Sequence, residues 1–260
     1  MRFGIPSYLI RIQAAIIRAV PRMEAAGTLM HRTPLLVLLA LCAAALTVSA
    51  SEQSQDDLEM AERLVACASC HGEAGRSNSE TYFPSIAGKP AGYLYAQLEH
   101  YRAGRRRHQI MEGLLANLSD EYLREIAEYY ARQQPKWTPP SLPEADARLE
   151  RGRKLVDDGD PELGVPSCRA CHGERLTGIA PTIPGLLGLR PEYLSGQLGA
   201  WRTGARRAAS PDCMAEIAQR LSPADLGAAT AYIASLPLPE DHHPAEGPPT
   251  SLPLECGVVE

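Results

Sequence analysis

The stretches "CASCHGE", residues 67–73, and "CRACHGE", residues 168–174, are two copies of one motif in a chain of 260 residues. Each copy has two cysteines separated by two residues, and a histidine follows the second cysteine directly. The similarity continues downstream, where "PSIAGKPAGYLYAQLEHYRAGRRR", residues 84–107, aligns with "PGLLGLRPEYLSGQLGAWRTGARR", residues 184–207. Repetition of this length indicates two lobes built on one plan.

The repeat predicts helices and shows no convincing strand. Ser119 and Ser222 stand where helix N-caps belong, and Pro223 suits a first helical position. Apolar residues then recur at steps of three and four. We therefore predict an all-α fold, with helices near residues 56–66, 91–103, 144–157 and 191–202.

Proline-rich segments mark the predicted domain boundaries. The prolines of "QQPKWTPPSLP", residues 133–143, block helix formation and indicate a linker. The predicted domains are residues 51–132 and 144–236, followed by a tail without regular structure, residues 237–260.

The N-terminal residues predict export from the cytoplasm. "MHRTPLLVLLALCAAALTVSA", residues 30–50, has basic residues before an apolar run and small residues at its end, as in a signal peptide cleaved after Ala50. The run is shorter than the roughly 20 residues of a membrane-spanning helix, and an uncleaved anchor is the alternative. Translation from Met1 and from Met30 are both consistent with this pattern. We expect residues 1–50 to be a leader and the mature chain to be periplasmic, with peripheral membrane association as a further option.

The composition of the mature chain bears on which classes of partner it can bind. Residues 1–50 contain five arginines and one glutamate, so their removal leaves 21 basic and 30 acidic residues and a net charge of about −9. Such acidity argues against nucleic acid as a partner. The aromatic content is only 5%, so the cores need aliphatic side chains or a bulky cofactor to fill them.

Three chemistries use two cysteines at this spacing. A thioredoxin-like dithiol needs a strand–helix setting that lowers a thiol pKa, and the repeat predicts helices alone. A zinc site needs two further ligands in each lobe, which the sequence does not supply at suitable spacing. Covalent haem explains every position, because two thiols add to the two vinyl groups of one porphyrin and the adjacent histidine reaches the iron. We predict two haem c groups, attached at Cys67 and Cys70 and at Cys168 and Cys171, with His71 and His172 as iron ligands.

The sixth iron ligand is predicted to be a methionine in each lobe. Met111 and Met214 lie 40 and 42 residues after the motif histidines, at matching places in the repeat. His108 is the alternative in the first lobe, but no histidine matches it in the second. Ligation by histidine and methionine leaves no iron position open for a substrate, which favours an electron carrier over an enzyme. The carbonyl groups of Pro84 and Pro184 could orient the two histidines from behind, although both could be ordinary turn residues.

An arginine cluster precedes each methionine. A charge run of this kind is either a solvated face or a set of guanidinium groups that pair with haem propionates or shape a docking patch. The sequence leaves both interpretations open for the following residues: Arg102, Arg105, Arg106 and Arg107, and Arg202, Arg206 and Arg207.

On these motifs and methionines, residues 56–236 resemble the dihaem cytochromes of the cytochrome c4 type, which are two class I cytochrome c domains in tandem. Cys67, Cys70 and His71 match the first haem motif of that family, and Cys168, Cys171 and His172 match the second. The resemblance implies two small helical domains and periplasmic electron transfer, with a terminal oxidase, a quinol-oxidising complex or a dehydrogenase as partners.

Two cysteines depart from the family pattern. Cys213 directly precedes Met214, and Cys256 lies in the tail. The simplest expectation is a disulfide that holds the tail near the second haem, which an oxidising compartment permits. A free structural cysteine, or a ligand or reactive thiol at Cys213, are the alternatives.

The leading functional hypothesis is a periplasmic electron shuttle. A second hypothesis is the dihaem subunit of a larger dehydrogenase, similar to flavocytochrome sulfide dehydrogenase. A third is a haem enzyme of sulfur oxidation, which would require at least one haem without a methionine ligand.

Overall fold

A computed structural model of the chain describes residues 55–77, 82–140, 147–247 and 252–257. The predicted leader, residues 1–50, lies outside these ranges. Among the residues described, no helix is both long enough and apolar enough to cross a bilayer. The described residues belong to one compact unit, which contains an N-lobe up to residue 132 and a C-lobe from residue 147 to residue 236.

The N-lobe is helical, as predicted. The helix expected over residues 56–66 is observed over residues 55–63 (α1), because the backbone leaves helical geometry at Leu64. The first cysteine motif therefore lies on a short helix of its own. The N-lobe elements after α1 are α2 (Val65–His71), a 3-10 turn (Glu73–Gly75), α3 (Ala91–Arg102), α4 (Gln109–Leu115) and α5 (Asp120–Ala131).

The C-lobe repeats this order with one addition. The predicted helix over residues 144–157 is observed as α6, which continues into a π-helical turn. Two short antiparallel strands, which the sequence did not predict, pair Ile179 with Ile183. The C-lobe elements are α6 (Ala147–Arg153) with its π-helical turn (Lys154–Asp158), α7 (Cys168–His172), β1 (Gly178–Ile179), β2 (Ile183–Pro184), α8 (Pro191–Thr203), α9 (Cys213–Arg220) and α10 (Pro223–Ser235).

Serine caps begin the last helix of each lobe, as the sequence predicted. The side chain of Ser119 accepts a hydrogen bond from the backbone N–H of Tyr122. Ser222 does the same for Asp225, whose carboxylate accepts in return from the backbone N–H of Ser222. Such caps satisfy backbone donors that would otherwise lack a partner at the helix start.

Each lobe has its own apolar core. In the N-lobe, Leu123 and Ile126 of α5 pack with Leu94 of α3. In the C-lobe, Val156 and Ile233 belong to the corresponding cluster. Burial of one such side chain contributes about 1.5–3 kcal/mol, and in both lobes core residues also line the cavity described below.

The tail after residue 236 has no helix among its described residues, as expected, and is held at several points. Ala245 forms a bridge with Ile179 of β1. Asp241 forms an ion pair with Arg175 at 2.6 Å. Cys256 is disulfide-bonded to Cys213, with 5.3 Å between their Cα atoms, so the disulfide expectation is confirmed.

Candidate cofactor-binding site

The four motif cysteines lie on α2 and α7 and form no disulfide. Helical geometry places Cys67 and Cys70 one turn apart, and it does the same for Cys168 and Cys171. Burial raises the pKa of Cys67 and Cys171 and raises that of Cys168 to about 12. A redox dithiol needs a lowered thiol pKa, so the dithiol interpretation fails here.

A zinc interpretation also lacks support in the described ranges. No group of three or more His, Cys, Asp or Glu side chains there is arranged to hold a metal ion. Within the described ranges, the two motifs are therefore cysteine pairs with an adjacent histidine and not parts of a larger cluster of zinc-binding side chains.

Each motif histidine is anchored from behind by a proline carbonyl. Nδ1–H of His71 donates to the oxygen of Pro84 at 2.9 Å, and Nδ1–H of His172 donates to the oxygen of Pro184 at 2.8 Å. Burial lowers the pKa of both histidines. Each ring is thus neutral and fixed in one orientation, with its Nε2 available as a metal ligand. The predicted role of the two prolines is confirmed at the level of these contacts.

One large cavity of about 780 Å³ runs through both lobes. The four motif cysteines, both motif histidines and both predicted methionines line it. Met111 lies on α4 and Met214 on α9, at matching places in the repeat. The structure therefore brings together all eight residues that the sequence singled out: Cys67, Cys70, His71, Met111, Cys168, Cys171, His172 and Met214.

The alternative ligand His108 also lines this cavity. Its Nδ1 atom is buried and has no hydrogen-bond partner among the described residues. His108 is therefore an alternative to Met111 as an iron ligand in the N-lobe, and the two are distinguished by spectroscopy. The C-lobe has no equivalent histidine, because Arg206 to Asp212 contains none.

Two of the clustered arginines are buried between the lobes, so the solvated-face interpretation is wrong for them. Arg106 and Arg206 are 6% and 5% exposed. Arg106 donates to Gln97 at 3.0 Å, to Gln197 at 2.7 Å and to the hydroxyl of Tyr193 at 2.7 Å. Arg206 makes the matching bonds. It donates to Gln197 at 3.0 Å, to Gln97 at 2.9 Å and to the hydroxyl of Tyr93 at 3.3 Å.

The remaining arginines behave differently. Arg102 binds Asp120 at 2.5 Å and the carbonyl of Leu118 at 3.0 Å, and thus ties α3 to the start of α5. Arg202 makes the matching bond to the carbonyl of Leu221 and also binds the carbonyl of Ala218 at 3.0 Å. Arg105 and Arg107 are exposed, as a solvated face requires.

The residues that line the cavity fit covalent haem. They supply paired thiols, a neutral histidine with an anchored ring, a thioether and a largely apolar wall in each lobe. The two buried guanidinium groups have no carboxylate within ion-pair distance among the described residues. Burial and the neighbouring Arg106 lower the pKa of Arg206, as expected for two cations forced together. Haem propionates would supply the missing negative charge.

Sequence reasoning missed one buried cation at this site. Lys89, 9% exposed, also lines the cavity, where its ammonium group bonds to carbonyl oxygens of the C-lobe. No motif marks it, and its partner in the repeat is Leu189. By contrast, the network around Arg106 and Arg206 has a signal in the sequence. Its tyrosines, Tyr93 and Tyr193, and its glutamines, Gln97 and Gln197, are identical pairs in the repeat.

Comparisons with known proteins agree with this geometry. The family model described as Cytochrome c matches residues 59–141. A thiosulfate dehydrogenase electron acceptor from Thiomonas intermedia (strain K12) is 33% identical over 173 residues, which cover 66% of this chain and 79% of that protein. This match is longer than one lobe.

Two solved structures are similar in fold. Reduced cytochrome c4 from Pseudomonas stutzeri is 31% identical with a TM-score of 0.60, and the match covers 67% of this chain and 95% of that chain. A thiosulfate dehydrogenase from Marichromatium purpuratum is 33% identical with a TM-score of 0.60, but the match covers 66% of this chain and 36% of that chain. The present chain thus corresponds to a part of that enzyme. On its fold, its cofactor site and these relatives, the chain belongs to the cytochrome c family and is a dihaem electron-transfer cytochrome of the cytochrome c4 type with covalently bound haem c.

Proposed function

We propose that the chain is an exported electron carrier in which each lobe holds its haem by two thioether bonds and by one histidine and one methionine. The observation that carries this proposal is that both lobes line one cavity with the same set of side chains, namely two cysteines, one histidine and one methionine. The proposed attachment and ligand residues are Cys67, Cys70, His71 and Met111 in the N-lobe, and Cys168, Cys171, His172 and Met214 in the C-lobe.

Haem, when bound, supplies a one-electron couple between ferric and ferrous iron. The protein residues have separate tasks around it. The cysteines fix its position, and the carbonyl groups of Pro84 and Pro184 hold the two histidine rings and increase their basicity as ligands. The apolar walls of the cavity exclude water, and Arg106 and Arg206 offer two positive charges to the propionates.

We propose that the chain transfers electrons without carrying out a chemical conversion. Two axial protein ligands on each iron leave no position for a substrate. The disulfide between Cys213 and Cys256 also removes the thiol that could have served as an alternative ligand or nucleophile in the C-lobe. Purified protein should therefore not oxidise thiosulfate on its own.

The partner that the comparisons support is a thiosulfate-oxidising enzyme as electron donor. One relative is described as the electron acceptor of thiosulfate dehydrogenase, and the match covers 79% of that relative. We propose that this chain accepts electrons from an enzyme of that class and delivers them to a later carrier or oxidase. Rapid mixing of the oxidised protein with such an enzyme and thiosulfate should show reduction of both haems, and thiosulfate without the enzyme should not reduce them.

Two features support a periplasmic location. The leader has the pattern of a signal peptide, and the disulfide suits an oxidising compartment. Fractionation of cells and mass measurement of the mature protein would test both the location and cleavage after Ala50.

Substitution of the two methionines tests the proposed ligands. Met111→Ala should remove the methionine-to-ferric-iron charge-transfer absorption of the N-lobe haem alone, and Met214→Ala should remove that of the C-lobe haem alone. Met60→Leu is the matched control, because Met60 lies on α1 and is buried in the N-lobe core. His108→Ala should leave both absorptions unchanged. A Met111→Ala protein with an intact N-lobe absorption would contradict the assignment, and a haem-to-protein ratio of one would contradict the proposal as a whole.

A further inference from the structure

Lys89 belongs to the N-lobe, but its charged group is held by the C-lobe. Its Nζ atom donates to the carbonyl oxygen of Gly185 at 2.8 Å and to that of Leu187 at 3.0 Å. The residue is buried at the point where the two lobes meet. Burial lowers the pKa of its ammonium group to about 8, so the group still carries most of its positive charge at neutral pH.

The segment that holds Lys89 is also the segment that orients the C-lobe histidine. Gly185 directly follows Pro184, whose carbonyl oxygen accepts the Nδ1–H bond of His172. Lys89 and His172 both line the large cavity. An N-lobe cation therefore binds the segment that holds the C-lobe histidine from behind.

Solvent does little to screen this charge. A void of about 20 Å³ adjoins Lys89 on the side of Gly88, Leu238 and His242. A space of this size has room for about one water molecule. Electrostatic interactions weaken much less in such surroundings than at a protein surface.

The equivalent position of the C-lobe offers no such charge. The repeat pairs Lys89 with Leu189, which is buried and apolar. The carbonyl groups of Ser85 and Ala87, which correspond to those of Gly185 and Leu187, can therefore receive no bond from it. The two cofactor sites thus differ in one buried cation, contributed across the lobe interface.

We propose that Lys89 is a positioning and tuning residue of the N-lobe that raises the reduction potential of the C-lobe haem. A fixed positive charge disfavours the oxidised state of a nearby haem, because oxidation adds one positive charge to the iron. In protein that carries one electron, Lys89 therefore favours the C-lobe haem as the reduced one. The effect requires the two lobes to be docked.

This inference rests on the proposed function, since it requires two haems with the ligands assigned above. The experiment is a redox titration of the full-length dihaem protein, in which the shifted ring-methyl NMR signals of each ferric haem report separately. Lys89→Met keeps an unbranched side chain, one atom shorter, and removes the charge. We expect the equilibrium constant for electron transfer from the N-lobe haem to the C-lobe haem to fall about tenfold, which is 59 mV for one electron. The potential of the N-lobe haem should change much less.

Three further variants separate charge from structure. Lys89→Gln keeps amide donors for the two carbonyl groups and should lower the C-lobe potential as Lys89→Met does, even if Lys89→Met folds poorly. Lys89→Arg keeps the charge and should restore the native potential. Lys136→Met removes an exposed charge from the linker and should change neither potential.

The outcomes distinguish this inference from the proposed function. If Lys89→Met and Lys89→Gln bind two haems and keep both native potentials, the inference is wrong and the proposed function stands. Equal shifts of both haems would also overturn it, since they would reflect a general effect of lobe docking. A native protein without two separately titrating haems would contradict both proposals.

Discussion

The methionine helices of the two lobes occupy the same place in the repeat but lie in different surroundings. In the N-lobe, Ile110 and Leu114 on either side of Met111 are 56% and 44% exposed. In the C-lobe, the corresponding positions are Cys213 and Ile217, which are half-buried. Cys213 is bonded to the tail, and the backbone N–H of Gly257 donates to the carbonyl of Pro211 at 3.0 Å. The repeat thus has a methionine at the same place in both lobes, whereas the tail is attached beside only one of the two methionines.

This difference means that the two methionines are held by different forces. Met111 depends on the packing of α4 against the N-lobe core. Met214 has in addition a covalent connection one residue away, which limits how far its helix can move. We expect Met111 to be the ligand that added imidazole displaces first, and Met214 to resist until the disulfide is opened.

Removal of the disulfide should have the largest effect. The bond closes a loop of 43 residues, and a cross-link of this kind stabilises a fold by about 2–4 kcal/mol. The double variant Cys213→Ser with Cys256→Ser should lower the free energy of unfolding of the C-lobe by that amount, measured by denaturation followed at each haem. Imidazole should then displace Met214 as readily as Met111. If the C-lobe of the double variant kept its native stability and its native resistance to imidazole, the tail would have no part in holding Met214.

Substitution of the buried arginines should come next and should affect both lobes equally. Arg106→Gln or Arg206→Gln removes one charged donor from Gln97, Gln197 and a tyrosine hydroxyl. Hydrogen bonds to charged groups contribute about 1.5–3 kcal/mol each, so either variant should weaken lobe docking by at least that range. Arg105→Gln, at an exposed position beside them, is the control and should be neutral. A large effect of one variant and none of the other would contradict the symmetry of this network.

The difference between Lys89 and Leu189 should appear in the pH dependence of stability. The pKa of Lys89 is about 8 when folded and 10.5 when free, so between these values the unfolded chain binds more protons than the folded one. Native protein should therefore gain stability relative to Lys89→Met as the pH rises from 8 to 10, by about 1 kcal/mol for each pH unit. Below pH 8 the difference between the two proteins should be constant. Denaturation curves at several pH values measure it, and a difference that does not vary with pH would refute the buried charge.

The sequence predicted the features that depend on local spacing and missed those that depend on how the two lobes pack. The cysteine motifs, the methionines and the serine caps each occur twice, and each depends on local spacing, so all were visible without a structure. The burial of Arg106 and Arg206 was not, because it arises only when the two lobes pack face to face. Lys89 was missed for the same reason, since its partners lie 96 and 98 residues away along the chain.

The short strands and the helix break at Leu64 were also not predicted from the sequence. The two-residue strands β1 and β2 are too short to show an alternating pattern. The break at Leu64 follows no proline or glycine, so no residue marks a division of the predicted helix over residues 56–66. Both features lie at the site, since β2 carries the carbonyl that orients His172 and the helix that begins after the break carries Cys67 and Cys70.

Substitution of Ile110 should have the smallest effect and makes the comparison most direct. Ile110 and Cys213 are the residues immediately before the two methionines, but Ile110 is 56% exposed and has no covalent partner. Exposed substitutions of this kind change stability by less than about 0.5 kcal/mol. Ile110→Ser should therefore leave the N-lobe as stable as before, whereas Cys213→Ser at the equivalent position loses the cross-link. If Ile110→Ser destabilised the N-lobe as strongly as Cys213→Ser destabilises the C-lobe, helix position rather than the tail would explain the difference between the two methionine loops.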